Sequence, residues 1–353
     1  MKQQWPRSIL IIKLSSIGDV VHTIPALEVL RKTYPRARID WVVEDESAQI
    51  VLGHKDLNRV IVSRRKKWAR NIARGKKVRE VAKEIKEFLV QVRNRDYDLI
   101  IDFQGLLRSG LVALIARGTH KVGMSGTREA SWMFLTKRPF KVNYNQHAID
   151  RYLELCKHLG CGNEDWEGFI PYGEREISHV DELLRHYGVQ KGHVVVINPV
   201  ARWKTKLWRP EFFALLADKI QDELSYRVVF TGARGDYSYL QQICNMMRTP
   251  GINSAGATSL KELAYLYKIS AATVTTDTGP MHIAAAMKCP VIALFGPTDP
   301  RRTGPYGNGH RIISSGLECS PCFRKQCDNI RCMNEITVDQ VFTALSKTLN
   351  EHV

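Results

Sequence analysis

Two apolar runs, each short enough to be a strand and each closed by a turn, constrain the fold of this chain more than any other feature. Ile9-Leu-Ile-Ile-Lys-Leu14 is rich in branched residues, ends in Ser15-Ser-Ile-Gly-Asp19, and is followed to Leu30 by apolar positions at helical spacing. That order is strand, glycine turn, helix. His193-Val-Val-Val-Ile197 restarts the pattern about half a chain later, after the polar stretch Tyr187 to Gly192. Candidate strands at 39–43, 99–103 and 120–122 and candidate helices at 78–93 and 106–116 lie between the two starts. Strands alternating with helices predict an α/β chain with parallel, doubly wound sheets.

The second half continues with a helix opened by Pro210, a strand at 227–230, a helix near Ser259 whose capping box is completed by Glu262, and strands at 272–276 and 291–294 flanking a helix at 281–287. Thr337-x-x-Gln340 opens a last amphipathic helix, 338–349, expected to reach back to the first domain. The expected organisation is therefore two similar Rossmann-like domains, residues 1–188 and 189–336, with 337–353 as a C-terminal helix. A ligand is expected in the cleft between them.

At 353 residues with 44% hydrophobic and 25% charged side chains, the chain is globular in composition. The N-terminal apolar run is broken by Lys13, which predicts neither a signal peptide nor a membrane helix and hence a cytoplasmic protein. Lysine and arginine exceed aspartate and glutamate by 52 − 36 = 16, a surplus that favours polyanionic partners: phosphorylated substrates, an anionic membrane or nucleic acid. The nucleic-acid reading lacks a recognition helix, and no such partner is expected. A dinucleotide dehydrogenase is disfavoured because Ser15-Ser-Ile-Gly-Asp19 lacks the Gly-x-Gly-x-x-Gly spacing.

Thr276-Asp-Thr-Gly-Pro-Met-His282 follows a candidate strand and opens a small-residue helix. Free amides at such a helix start bind phosphate, and Gly279 allows close approach. Asn198-Pro-Val-Ala-Arg-Trp-Lys-Thr-Lys-Leu-Trp-Arg-Pro210 places four basic residues in a loop after the other strand, where cations would stabilise a departing diphosphate. Thr231-Gly-Ala-Arg-Gly-Asp236 ends a further strand in a glycine turn, a usual place for nucleoside contacts, through Gly232 and Ala233. Asp96-Tyr-Asp98 has the form of a metal-binding Asp-x-Asp pair, but it precedes a strand, and no metal or other cofactor is expected. Cys319, Cys322, Cys327 and Cys332 form a cluster whose state, reduced thiols, disulfide or structural zinc, the spacing leaves open. Arg59 to Lys86 is strongly basic, with Trp68 placed to seat at a membrane interface; a solvated, mobile loop is the alternative.

Together with Lys13-Leu-Ser-Ser-Ile-Gly-Asp-Val-Val-His-Thr-Ile-Pro-Ala-Leu27 and Ala293-Leu-Phe-Gly-Pro-Thr-Asp-Pro300, these motifs resemble the lipopolysaccharide heptosyltransferases of glycosyltransferase family 9 from about Ile9 to Val341. The resemblance implies a GT-B fold with an acceptor-binding N-terminal domain and a donor-binding C-terminal one. It implies metal-independent, inverting transfer of heptose from ADP-heptose to the Kdo or heptose inner core of lipopolysaccharide, at the cytoplasmic face of the inner membrane. Asp19 falls on the family's catalytic aspartate, although capping of the following helix remains an alternative. Lys206 matches the phosphate-binding lysine, and Asp277, with Thr278, Gly279 and His282, matches donor-binding positions. Ser15, Ser16, Gly18 and His22 would support the base, and Arg202 and Lys204 could share the phosphates. Ala201 and Arg202 stand where relatives carry hydroxyl residues. A family member with another nucleotide sugar as donor is the competing reading.

Overall fold

A computed structural model describes residues 6–351. The chain divides into two compact units between Pro171 and Tyr172. This boundary lies upstream of the expected 188/189 because the Glu174–His186 helix packs on the Leu260–Lys268 helix, and His179 Nε2 lies 3.0 Å from the Ala257 carbonyl.

The first unit holds five parallel strands, β1 (Ser8–Ile12), β2 (Arg38–Glu44), β3 (Arg59–Ser63), β4 (Asp96–Asp102) and β5 (Arg117–Gly123), in the order β3-β2-β1-β4-β5. Ile9 registers with Ile39 on one side and Leu99 on the other. Ile9 to Ile12 are fully buried, as expected where helices cover both faces of a parallel sheet and leave no solvent-facing alternation. Chain order reverses between β1 and β4. Loops leaving those two strands at their carboxyl ends diverge to opposite faces and open a crevice.

The second unit holds six parallel strands, β6 (Val194–Asn198), β7 (Arg227–Phe230), β8 (Ile252–Asn253), β9 (Ala272–Thr276), β10 (Val291–Leu294) and β11 (Arg311–Ile313), in the order β11-β10-β9-β6-β7-β8. Its reversal lies between β6 and β9. The Val338–Glu351 helix buries Val341, Leu345 and Leu349 in this unit's own core and packs on the Pro210–Leu224 helix, where the sequence suggested contact with the first domain. Trp208 Nε1 donates to the Ile336 carbonyl at 2.9 Å, tying the chain just before that helix to the same core.

The basic stretch is neither a loop nor an interfacial tryptophan. It folds as β3 and the helices Arg65–Ala73 and Val78–Arg93. Trp68 is buried in the first core, and its indole N–H donates to Glu84 at 2.7 Å. Arg65 pairs with Glu44 and Lys67 with Glu84, each at 3.1 Å, and Lys66 pairs with Glu46. The period of the apolar residues decided this outcome, because Val81, Phe88 and Val92 fall on one helical face that the sheet covers.

Candidate active site

In the first unit, the crevice at the β1/β4 reversal collects the loop that the sequence singled out. Ser16 is the N-cap of the Ile17–Val21 helix. Its backbone N–H and its hydroxyl each donate to Asp19 Oδ2 at 2.9 Å. Asp19 therefore does take part in capping, yet its side chain remains 41% exposed, and its Oδ1 lies 3.9 Å from Lys13 Nζ. A carboxylate with one oxygen anchored and the other beside a cation is held in orientation. Gly18 is buried in the same turn. His22 is buried one turn on, edge to face with the His147 ring at 5.0 Å, which makes it a packing neighbour.

Sequence reasoning missed the groups that hold this loop. Lys13 is buried and donates to Tyr152 Oη at 2.7 Å and to the Phe103 carbonyl at 3.0 Å. Burial pulls its pKa down, but its interactions with Tyr152, Asp19 and Asp102 outweigh that pull and leave it raised. Gln104 Oε1 accepts the N–H groups of Leu14 and Ser15, both at 3.1 Å, and Arg108 donates to Ser15 Oγ at 2.8 Å. Asp102, raised by burial, accepts from the amides of Gln104 and Gly105 and from Ser109 Oγ. The one available signal was a lysine ending an apolar strand run.

In the second unit, the loops after β6 and β9 meet at the reversal. Lys206 Nζ donates to Asp277 Oδ2 at 2.5 Å, with side chains 15% and 7% exposed. Thr298 Oγ1 donates to the same oxygen at 2.6 Å. The Trp203 ring lies under Lys206, 4.6 Å from Nζ, and Lys325 approaches that ring to 5.3 Å. Two residues separately assigned from sequence are thus one ion pair, and Thr298 and Trp203 belong with them.

Thr278 is the N-cap of the Gly279–Ala286 helix and makes no side-chain bond to its first-turn amides. His282 is buried within that helix. Arg202 and Lys204 are exposed on the loop carrying Lys206. Gly232 and Ala233 follow β7, where the Ala233 N–H donates to Asp236 at 2.8 Å. Asn198 bridges to Thr231, the residue before them, at 2.9 Å. The arrangement gathers a cation, a helix start and a glycine turn along one sheet edge, which suits a nucleoside diphosphate.

Asp96 and Asp98 stand at the opposite, amino end of β4. Asp98 accepts from Arg7 N–H at 2.7 Å and Ser8 N–H at 2.9 Å, and Asp96 pairs with Arg117 at 2.9 Å. The four clustered cysteines carry free thiols, and three of them are exposed. Among the described residues, the one set of histidine, cysteine and acidic groups close enough to share an ion is Glu28, His54 and Asp56. There Glu28 already accepts the N–H groups of Glu167 and Gly168 at 2.6 and 3.1 Å, so it serves as a loop anchor.

Two doubly wound parallel sheets, each gathering charged side chains where its strand order reverses, make the fold of the GT-B glycosyltransferases. The chain belongs to glycosyltransferase family 9 (heptosyltransferase), whose family model matches residues 85–332. It is 29% identical over 334 residues to lipopolysaccharide heptosyltransferase 1 of Pseudomonas aeruginosa, covering 90% of this chain and 87% of that protein. A solved glycosyl transferase family 9 protein of Veillonella parvula superposes with a TM-score of 0.84 at 25% identity, over 99% of each chain. Escherichia coli heptosyltransferase WaaC with ADP gives a TM-score of 0.76 at 26% identity, over 97% of this chain and 99% of that one. WaaC with ADP-2-deoxy-2-fluoro heptose gives 0.74 at 25%, over 98% and 100%. The protein is a glycosyltransferase of the lipopolysaccharide heptosyltransferase family.

Proposed function

We propose that the protein transfers L-glycero-D-manno-heptose from ADP-heptose to the Kdo or heptose inner core of lipopolysaccharide, with inversion and without a metal. The observation that carries the reading is the Lys206–Asp277 pair beside the start of the Gly279–Ala286 helix, whose N-cap Thr278 makes no side-chain cap. WaaC, solved with ADP and with a fluorinated ADP-heptose, supports the donor assignment.

In this mechanism Asp19 accepts the proton of the acceptor hydroxyl as that oxygen forms a bond to the anomeric carbon of the donor sugar. The bond from that carbon to the diphosphate breaks, and ADP leaves with the electron pair. Lys206 and the helix-start amides meet the developing charge, which replaces the role a divalent cation has elsewhere. Asp277 holds Lys206 in place before donor arrives. The acceptor binds on the first unit, the donor on the second, and an anionic membrane surface on the cytoplasmic side presents the glycolipid. No helix of the described residues is long and apolar enough to cross a membrane.

Purified protein assayed with ADP-heptose, ADP-glucose and UDP-sugars against Kdo-lipid A acceptors tests the proposal. Transfer from ADP-heptose with inverted anomeric configuration is expected. Turnover only with another nucleotide sugar would favour the competing family activity.

A further inference from the structure

Exposed apolar side chains on this protein are not scattered. Of the fifteen large ones among the described residues, eight, Ile72, Val78, Val90, Leu107, Leu111, Leu114, Trp132 and Met133, belong to one layer of the first unit. That layer consists of the helices Arg65–Ala73, Val78–Arg93 and Leu107–Ile115 and the turn Ser131–Phe134, each packed on the next. Leu107, Leu111 and Leu114 recur at helical spacing, which puts them on one face. The turn docks tightly on the same helix, since a Cβ on Gly110 would stand 2.3 Å from the Phe134 ring. Phe134 points inward, and its neighbours Trp132 and Met133 remain 56% and 66% exposed.

The same layer carries the charge. Residues 64–93 hold twelve lysines and arginines against three glutamates. Exposed apolar side chains and a surplus of cations on one layer of packed helices have the chemistry of an interfacial membrane anchor, with the tryptophan suited to headgroup depth. The layer also adjoins the candidate base: Arg108, in the first turn of the Leu107–Ile115 helix, donates to Ser15.

We propose that this layer is the face that docks on an anionic lipid bilayer, with Leu111, Leu114, Trp132 and Met133 entering the leaflet and the cations of 64–93 engaging lipid headgroups. The assignment rests on the membrane-presented acceptor proposed above, but vesicle binding tests it without donor or acceptor. The full chain is sedimented with phosphatidylcholine vesicles containing roughly one-third phosphatidylglycerol, and with neutral vesicles. Binding to the anionic vesicles should be at least about tenfold tighter and should weaken with salt.

Leu111→Ser combined with Leu114→Ser and Trp132→Ser should weaken binding at least about tenfold, with thermal unfolding checked. Arg70→Gln with Arg74→Gln, Lys76→Gln and Lys77→Gln should weaken it similarly and flatten the salt dependence. Should the triple variant not fold, Trp132→Phe provides the readout: brominated lipid should quench the parent more than this variant. Equal binding to both vesicle types, variants that bind like the parent, or equal quenching would overturn the proposal. So would a parent that is a dimer in solution while the apolar variant is a monomer, since the face would then join two copies of the chain. Loss of transferase activity with vesicle binding intact would instead count against the proposed function.

Discussion

Breaking the Lys206–Asp277 pair one side at a time should separate its two duties. The atoms are 2.5 Å apart with side chains 15% and 7% exposed. At an effective dielectric constant near 20, two charges at that distance attract by about 7 kcal/mol before desolvation is subtracted. Removing one partner from so buried a pair leaves the other uncompensated and should cost about 3–5 kcal/mol. For a unit of this size that corresponds to a fall of about 6–20 °C in Tm.

Lys206→Met and Asp277→Asn should each show this loss. Their combination should lose less than the sum by about 2 kcal/mol or more, because no lone charge remains. Affinity for ADP should separate the two variants. Lys206→Met removes a charge-assisted contact to phosphate, a loss of about tenfold to a hundredfold. Asp277→Asn releases the lysine from its carboxylate, so ADP should bind at least as tightly as to the parent. Calorimetric unfolding and ADP titration of the same four proteins measure both. Additive stability losses together with unchanged ADP affinity in Lys206→Met would refute the reasoning.

Asp19→Asn should leave ADP affinity unchanged and lower turnover at least about a hundredfold, the scale of losing a general base; turnover within a few-fold of the parent would remove Asp19 from that role. Activity should persist in EDTA, and its loss with the fold retained, restored by magnesium, would count against metal-free departure of the diphosphate. Glu28→Gln should destabilise the first unit near pH 7 by about 1–3 kcal/mol. Although burial pushes the Glu28 carboxyl up, the His54 ring 3.7 Å away and the N–H groups donated by Glu167 and Gly168 bring it below its ordinary 4.5. A lowered carboxylate adds stability above its unfolded pKa and loses it as pH falls through the folded value. The gap between Glu28→Gln and the parent should therefore close below about pH 4, and urea unfolding at both pH values would show an unchanged gap if the depression were absent.

Much of the architecture is written locally. The run at Ile9 to Leu14 and the run at His193 to Ile197 both became fully covered central strands, because a continuous branched apolar segment can satisfy itself only where helices lie on both faces. The Ser259–Glu262 capping box formed as its spacing required, with Ser259 Oγ accepting from the Glu262 N–H at 3.3 Å. Short edge strands such as β8 and β11 left no such trace, since two or three residues carry too little periodicity. The basic composition of Arg59 to Lys86 hid the strand β3 and the helix Arg65–Ala73, whereas the helix expected at 78–93 formed where its apolar period placed it.

What tertiary structure decided is which of the named residues meet. Glycine turns and helix starts announce themselves within a few residues, and the sequence placed Asp19, Lys206 and Asp277 at the ends of strands. The strand order then set their partners. Lys206 and Asp277 are 71 positions apart, and Lys13 and Tyr152 are 139 apart. Each pair exists because the sheet or its covering helices carry distant segments to one crevice. Local sequence specifies the turn that aims a side chain, but only the assembled sheet supplies the opposite charge, the buried hydroxyl or the aromatic ring that fixes where that side chain rests.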